Sequence, residues 1–306
     1  MYFVTSKGFV ILWQDHYGGY MNDLSTNKTK TLLLMGALSA FIIWGGYSLA
    51  GQTGAAIAFF SSVILMVSAY WFADILVLSL YRAKEVNQDD KPLLYATVAY
   101  LAERANIPRP RIYLINEHMP NTFSCGRNPE HGSIAVTKGL LDLLNKDELA
   151  GAIAHEIAHI QLNDTFLATL AASVGGFITL VANSAQAIFV FGMGSRKGNN
   201  KLAVFLMSVF APLVAIIIQM FIAREREFYA DEKAAELCEN PQHVSNALRR
   251  IELAREHYQL DEVEQNPSTA HLFAVSPLRS KKWQMLFASH PPIGERIERL
   301  ECMILD

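Results

Sequence analysis

Cysteine is scarce in this 306-residue chain: Cys125, Cys238 and Cys302 stand far apart and form no Cys-x-x-Cys pair. Neither a disulfide framework nor a cysteine-based zinc site is expected, and the three thiols are read as reduced, on the cytosolic side. Charge is scarce too, at 18% of residues with a net charge of −3. No basic face is left for a phosphate backbone, so nucleic acid is not an expected partner. The first twenty residues lack a basic start, a long apolar core and a small-residue cleavage site, and no secretory signal is read there. Met21 begins a segment that leads straight into an apolar run, so it is read as the functional start and 1–20 as an upstream extension. Internal repeats and low-complexity tracts are also missing.

What the chain does have is apolar residues in blocks, within a composition that is 51% hydrophobic. Residues 31–51, 54–72, 166–194 and 202–223 carry no charge, and the fourth block contains Pro212 and Gln219. Each is long enough to cross a bilayer core, which takes about 20 helical residues. The first two are joined by Gly51-Gln52-Thr53-Gly54, too short for anything but a hairpin. Lys28 and Lys30 precede this pair, and Arg82 and Lys84 follow it, so both flanks are expected in the cytoplasm. Tyr70, Trp71 and Tyr81 suit an interfacial belt near the second exit, where Asp74 is also read. The connection 195–201 carries Arg196, Lys197 and Lys201. Two readings of it stay open: an exception to the positive-inside rule, or a hairpin that does not fully span. Between and after the blocks, the patterning predicts helix over 92–105, strands at 111–115 and 133–136, and helix from about 146. Further helices are expected over 223–239 and from Pro241 to about 258, then loop over 261–280 and a short helix after Pro291-Pro292.

The chemistry is concentrated in His155-Glu156-Ile157-Ala158-His159, inside the proline-free stretch DELAGAIAHEIAHIQLND. Residues four apart share a helix face, so both imidazoles can reach one ion. Zinc takes imidazole nitrogen at about 2.0–2.1 Å. Glu156 can then take a proton from a water at the ion and deliver it to the leaving amine of a peptide bond. The rest of the helix is largely apolar, and burying two histidines and a glutamate without a task would be costly. A third ligand is needed, and 224–231, Arg-Glu-Arg-Glu-Phe-Tyr-Ala-Asp, offers Glu227. Asp231, one turn on, could accept the other ring N–H of a ligand histidine. Taken alone, the stretch also reads as a surface helix of alternating charge. Glu225, the local competitor, points about 200° away from Glu227 around a helix.

HEIAH, a long apolar hairpin and then REFYAD resemble the HtpX-type membrane metallopeptidases, relatives of the CAAX prenyl endopeptidases. The likeness extends to 120–129 (PNTFSCGRNP), 134–141 (IAVTKGLL) and 289–297 (SHPPIGERI), in that order, and covers nearly the whole chain from Met21. It implies one Zn2+ per chain held by His155, His159 and Glu227, with Glu156 catalytic. It also implies proteolysis of damaged, misfolded or misassembled membrane proteins at the cytoplasmic face of a bacterial-type inner membrane, as part of quality control under stress. The expected fold is integral membrane: α-helical transmembrane segments plus an α+β zincin-like catalytic domain built around the HExxH helix. The expected division is a cytoplasmic segment 1–30, a transmembrane hairpin 31–80, the first catalytic part 81–165, a membrane hairpin 166–223 and the second catalytic part 224–306.

Other residues are candidates. His290 could donate to the oxyanion of the tetrahedral intermediate, with Arg296 orienting it or a carboxylate. The pair could equally pack near a helix start. Asn121 and the strand 133–136 could hold substrate backbone as an added strand, or Asn121 is a turn residue after Pro120. Because His155 and His159 precede the third block and Glu227 follows the fourth, both ends of that hairpin must lie on one side, with the ion near the bilayer surface. The expected partners are unfolded and membrane-protein substrates and the lipid bilayer. Two other functions compete: processing of lipidated C-termini, as in the CAAX branch, and an inactive membrane scaffold. Four blocks rather than more argue against the first, and the intact set of four site residues against the second.

Overall fold

A computed structural model describes residues 8–166, 168–170, 224–255, 272–274 and 291–303. Residues 171–223, with the basic connection 195–201, lie outside the described residues, as does His290. The chain divides into two compact units, Met1–Val67 and Ser68–Asp306.

The first unit is helical from Gly8, within α1 (Gly8–Leu80), so regular structure starts well before the first apolar block. The helix breaks at Ala50 (φ −143°) and Gly51 (φ 61°). A positive φ costs glycine little, and one such residue is enough to end the first arm. Gln52, Thr53 and Gly54 are then already helical, so the connection is shorter than the four residues expected. A Cβ on Gly46 would lie 2.5 Å from the Gly54 carbonyl oxygen and 2.6 Å from the Ala58 Cβ, so the arms approach through small residues. The outward surface is apolar: Trp44, Ile57, Phe60 and Ile64 are each more than 60% exposed, at 64%, 63%, 65% and 65%. Residues Ala50–Ser68 form the one helix among the described residues that is long and apolar enough to cross a membrane, and 6% of it is buried. A helix apolar all round with so little protein against it is matched to lipid.

The second unit is built on a four-stranded sheet in the order β1-β2-β4-β3. Its elements are β1 (Lys84–Glu85), α2 (Pro92–Arg104), β2 (Arg111–Ile115), β3 (Thr122–Cys125), β4 (Ser133–Thr137), α3 (Lys138–Leu143), α4 (Lys146–Gln161), α5 (Arg224–Cys238), α6 (Pro241–Arg255) and α7 (Ile293–Glu301). β1 and the short α3 were not read in the sequence, whereas α2, α4, α5, α6, α7 and the two longer strands lie where the patterning places them. β3 does not, because four residues inside a turn-rich stretch carry too little periodicity to stand out. β4 pairs in parallel with β2 and antiparallel with β3. All five of its residues are buried, as its apolar run requires.

With both edges of β4 occupied, the strand 133–136 cannot receive an added substrate strand, contrary to the expectation above. The edge on that side belongs to β3. There Phe273 makes a bridge to Phe123, and the Ala274 N–H donates to the Thr122 carbonyl at 3.0 Å. These residues fall within the 261–280 stretch read as loop.

Alternation sorts side chains to the two faces of the sheet. Ile112, Ile134 and Val136 join Leu94, Val98, Ile153 and Ile157 in the larger core, between sheet and helices. Phe123, Cys125 and Ala135 join Val77, Tyr81 and Phe273 on the other side. Ring centroids of Tyr81, Phe123 and Phe273 lie 5.1–5.5 Å apart, in tilted and edge-on contacts. Thr122 and Ser124 pair across from Val136 and Ile134, so β3 turns its two small hydroxyl residues toward α4.

Candidate active site

α4 is fixed at its start by a reciprocal cap. Asn145 Oδ1 accepts the N–H groups of Asp147 and Glu148 at 2.9 and 3.0 Å, and Glu148 returns a carboxylate oxygen to the Asn145 N–H at 2.9 Å. From Gly151 to Ala158 every residue is buried. The helix therefore runs through the core, and its polar residues are held in place. It ends at Asn163, whose φ of 58° turns the chain back. The Asp164 N–H then donates to the His159 carbonyl at 3.0 Å, which brings the Asp164 carboxylate under that histidine.

The two imidazoles meet edge to face, with their Nε2 atoms 3.1 Å apart. Glu227, from the first turn of α5, places Oε2 3.8 Å from His155 Nε2 and Oε1 3.7 Å from His159 Nε2. One ligand atom from each residue can be chosen so that all three lie within 4.8 Å of one another. Zinc–ligand distances of about 2.0–2.1 Å imply edges of roughly 3.3–3.4 Å in a tetrahedron. The two imidazole nitrogens at 3.1 Å lie close to that value, and each has a different Glu227 oxygen within 3.8 Å. The nitrogen, nitrogen, oxygen donor set is that of catalytic zinc sites, which keep the fourth position open. The three residues fit the ion.

Behind His155 stands Asp231, whose Oδ1 lies 2.9 Å from His155 Nδ1. Arg296, fully buried on α7, grips both oxygens of Asp231 at 2.7 Å, and its third donor meets the Ala274 carbonyl at 2.8 Å. Its Nη1 is 3.5 Å from Glu227 and its Nη2 is 3.3 Å from His155 Nε2. The sequence spacing offered Asp231 as a partner of a histidine and Arg296 as an orienting group. The structure brings both into the cluster. Burial alone would raise the Asp231 carboxyl, but the Arg296 charge and hydrogen bonds, with His155, hold it below the usual range.

A second arrangement went unread in the sequence. His159 Nδ1 lies 3.4 Å from Asp164 Oδ2, and Asp164 Oδ1 lies 2.6 Å from Arg226 Nη2. The signals were an acid five residues past the second histidine and an arginine beside the third ligand. Without the metal, burial would lower the His159 pKa, yet Asp164, Glu227 and Glu156 together raise it.

Glu156 was expected to act as the base, and its carboxylate is divided between two environments. The Ser124 hydroxyl donates to Oε2 at 2.7 Å, whereas Oε1 is buried with no partner among the described residues. Burial pushes this carboxyl above its ordinary range, the two histidines and the Ser124 hydrogen bond pull it back, and Glu227 adds to the rise. Ser124 was missed because β3 was. The cavity above these groups is lined by His155, Glu156, His159 and Glu227, and on another side by Leu272, Phe273 and Ala274.

Asn121 does not line that cavity. It is fully buried, its Oδ1 accepts the Thr122 N–H at 3.0 Å, and its own N–H donates to Thr137 Oγ1 at 2.9 Å. Its place is the entrance to β3, where the backbone rather than a substrate takes up its carbonyl. The side chain of Glu225, the rival ligand, lies outside the described residues, as His290 does.

Residues 89–304 match the model of peptidase family M48. A protein named protease HtpX homolog from Syntrophobacter fumaroxidans is 40% identical over 282 residues, covering 90% of this chain and 99% of the relative. Its namesake in Persephonella marina is 43% identical over 277 residues, with 89% and 95% covered. Protease HtpX of Legionella pneumophila strain Lens is 40% identical over 279 residues, with 90% and 99% covered. Among solved structures, the crystal structure of S. mikatae Ste24p is similar at 19% identity with a TM-score of 0.45, over 90% of this chain and 66% of that one.

Proposed function

The chain belongs to peptidase family M48 and is a membrane metalloprotease, and from that premise we propose that it is a zinc endopeptidase that cleaves damaged, misfolded or misassembled membrane proteins at the cytoplasmic face. The observation that carries the reading is the convergence of His155, His159 and Glu227 beside a carboxylate oxygen of Glu156 that has no hydrogen-bond partner among the described residues. Zinc held by these three residues supplies a Lewis acid for the scissile carbonyl and lowers the pKa of a water. Glu156 takes the proton of that water at Oε1 while Ser124 keeps Oε2 fixed, and the same oxygen then returns the proton to the leaving amine. Asp231 orients His155, and Arg296 keeps Asp231 ionised and immobile.

Topology belongs to the same proposal. Asp164, just before the third apolar block, and Arg226, just after the fourth, are 2.6 Å apart. That contact supports a segment 166–223 that leaves and returns on one side, as a hairpin dividing a catalytic domain of 81–165 and 224–306. The apolar surface of Ala50–Ser68 supports a membrane hairpin over 31–80, and the basic flanks Lys28, Lys30, Arg82 and Lys84 support 1–30 and the site in the cytoplasm. Polypeptides presented close to the bilayer, loops and tails of failed membrane proteins, are the substrates such a site would reach.

The test is cleavage of an unfolded membrane protein by the detergent-purified chain, with zinc and with chelator, beside Glu156→Gln. The wild type should cut in a zinc-dependent manner. The variant should lose about 10²–10⁴-fold in kcat while still binding zinc. Equal rates in the two proteins would remove Glu156 from the mechanism.

A further inference from the structure

The metal centre has a second orienting pair that its motifs do not reveal. Asp164 and Arg226 are both buried, at 3% and 6% exposure, and they come from opposite ends of the segment outside the described residues. Asp164 follows the turn at Asn163 that closes α4, whereas Arg226 immediately precedes Glu227 on α5. Arg226 Nη2 reaches both the Asp164 carboxylate at 2.6 Å and the Asp164 backbone carbonyl at 3.1 Å. Side chain and backbone of Asp164 are thus held by one guanidinium. The other carboxylate oxygen faces His159 Nδ1 at 3.4 Å.

We propose that Asp164 and Arg226 are positioning residues for the metal: Asp164 holds the proton of His159 on Nδ1 and so leaves Nε2 free to bind, and Arg226 holds Asp164 in that role. The proposal rests on the zinc-site reading above. A histidine that donates through one ring nitrogen presents a lone pair at the other, and here that other nitrogen is the one turned toward His155 and Glu227. Arg226 does a second service by position. It stands next to the third ligand, so its grip on Asp164 ties the helix that carries Glu227 to the end of the helix that carries both histidines.

The substitution that isolates the effect is Asp164→Asn, which keeps shape. Arg226, a charged donor, will claim the amide oxygen. The amide NH2 is then left to face His159 Nδ1, which must accept, and the proton moves to Nε2, the atom that should bind the ion. Zinc binding is measured on the full-length protein in detergent by competition with a chromophoric chelator, and cobalt(II) absorption reports the geometry of the site. Asp164→Asn is expected to weaken zinc binding about 10–100-fold and to alter the cobalt spectrum. Unchanged affinity in a folded variant would overturn the proposal. If Asp164→Asn does not fold, Arg226→Lys, which keeps a cation in place, is expected to weaken zinc binding by a smaller factor, and wild-type affinity there would overturn it equally. Glu227→Gln in the same titration separates this failure from a wrong site. Zinc binding untouched by Glu227→Gln sinks the metal-site reading itself, whereas loss there with none in Asp164→Asn sinks only the positioning role.

Discussion

His155 and His159 stand one turn apart on the same face of one helix, yet the protein supports them differently. His155 is 2% exposed, and Asp231 meets it at 2.9 Å with both carboxylate oxygens gripped by Arg296 at 2.7 Å. Those partners come from α5 and α7, inside the packed core. The side chain of His159 is 15% exposed, its acid sits at 3.4 Å, and its arginine belongs to the first turn of α5, where the chain re-enters the described fold. One ligand is set by a rigid bidentate lock. The other is set by Asp164 and Arg226, which come from opposite ends of the segment outside the described residues. For the proposed zinc site, the difference means that affinity rests on two separate sets of partners, a bidentate lock at His155 and a longer contact at His159 that is the one open to adjustment.

The hardest blow to that comparison is Arg296→Met. Removing one partner of a buried pair leaves the other charge without compensation, at a cost of about 3–5 kcal/mol. Arg296 is also fully buried and bridges Asp231, Ala274 and Glu227. Chemical denaturation of the metal-free protein should show that loss, or no folded protein at all. Arg226→Gln should cost distinctly less, because glutamine still offers a donor to the Asp164 carboxylate. Equal losses would mean that the two histidines are supported alike.

How much of this was legible follows from how each contact is encoded. His155, Glu156 and His159 are read from a spacing of four, and Glu227 with Asp231 from the same spacing on a second helix, because helical periodicity converts sequence distance into shared direction. Arg296 could be named but its partner could not, since 65 residues separate it from Asp231. Asp164 was overlooked because its position depends on a left-handed residue at Asn163, and Arg226 because in a run of alternating charge every arginine looks solvated. The sheet order was out of reach. β3 is four residues long and buried throughout, so its residues carry no alternation that would tell pairing with β4 from pairing with β2. Ser124 was lost with it.

Ser124 gives the next test, since it touches the base and neither histidine. Ser124→Ala removes the hydrogen bond that Ser124 donates to Glu156 Oε2, and a hydrogen bond to a charged group is worth about 1.5–3 kcal/mol. A loss of roughly tenfold or more in kcat is expected, with KM and zinc affinity near wild type. If zinc binding falls as well, the base and the ligands are not independently positioned, and the contrast between the histidines is only part of a wider network.

The smallest effect is the most discriminating. Asn145→Ala deletes the cap at the far end of α4, ten residues from His155 along the same helix. Losing such a cap costs typically about 1 kcal/mol. If each ligand is held locally by its own acid and arginine, stability should drop by that amount while zinc affinity and the cobalt spectrum of the folded protein stay as they are. The physical reason is that α4 is buried along almost its whole length, so fraying at the first turn is stopped by packing at Leu149, Ile153 and Ile157 before it reaches the histidines. A fall in zinc affinity that tracks the loss in stability would mean that the helix transmits strain end to end. His155 and His159 would then be set by the helix as a whole rather than by the two acids behind them.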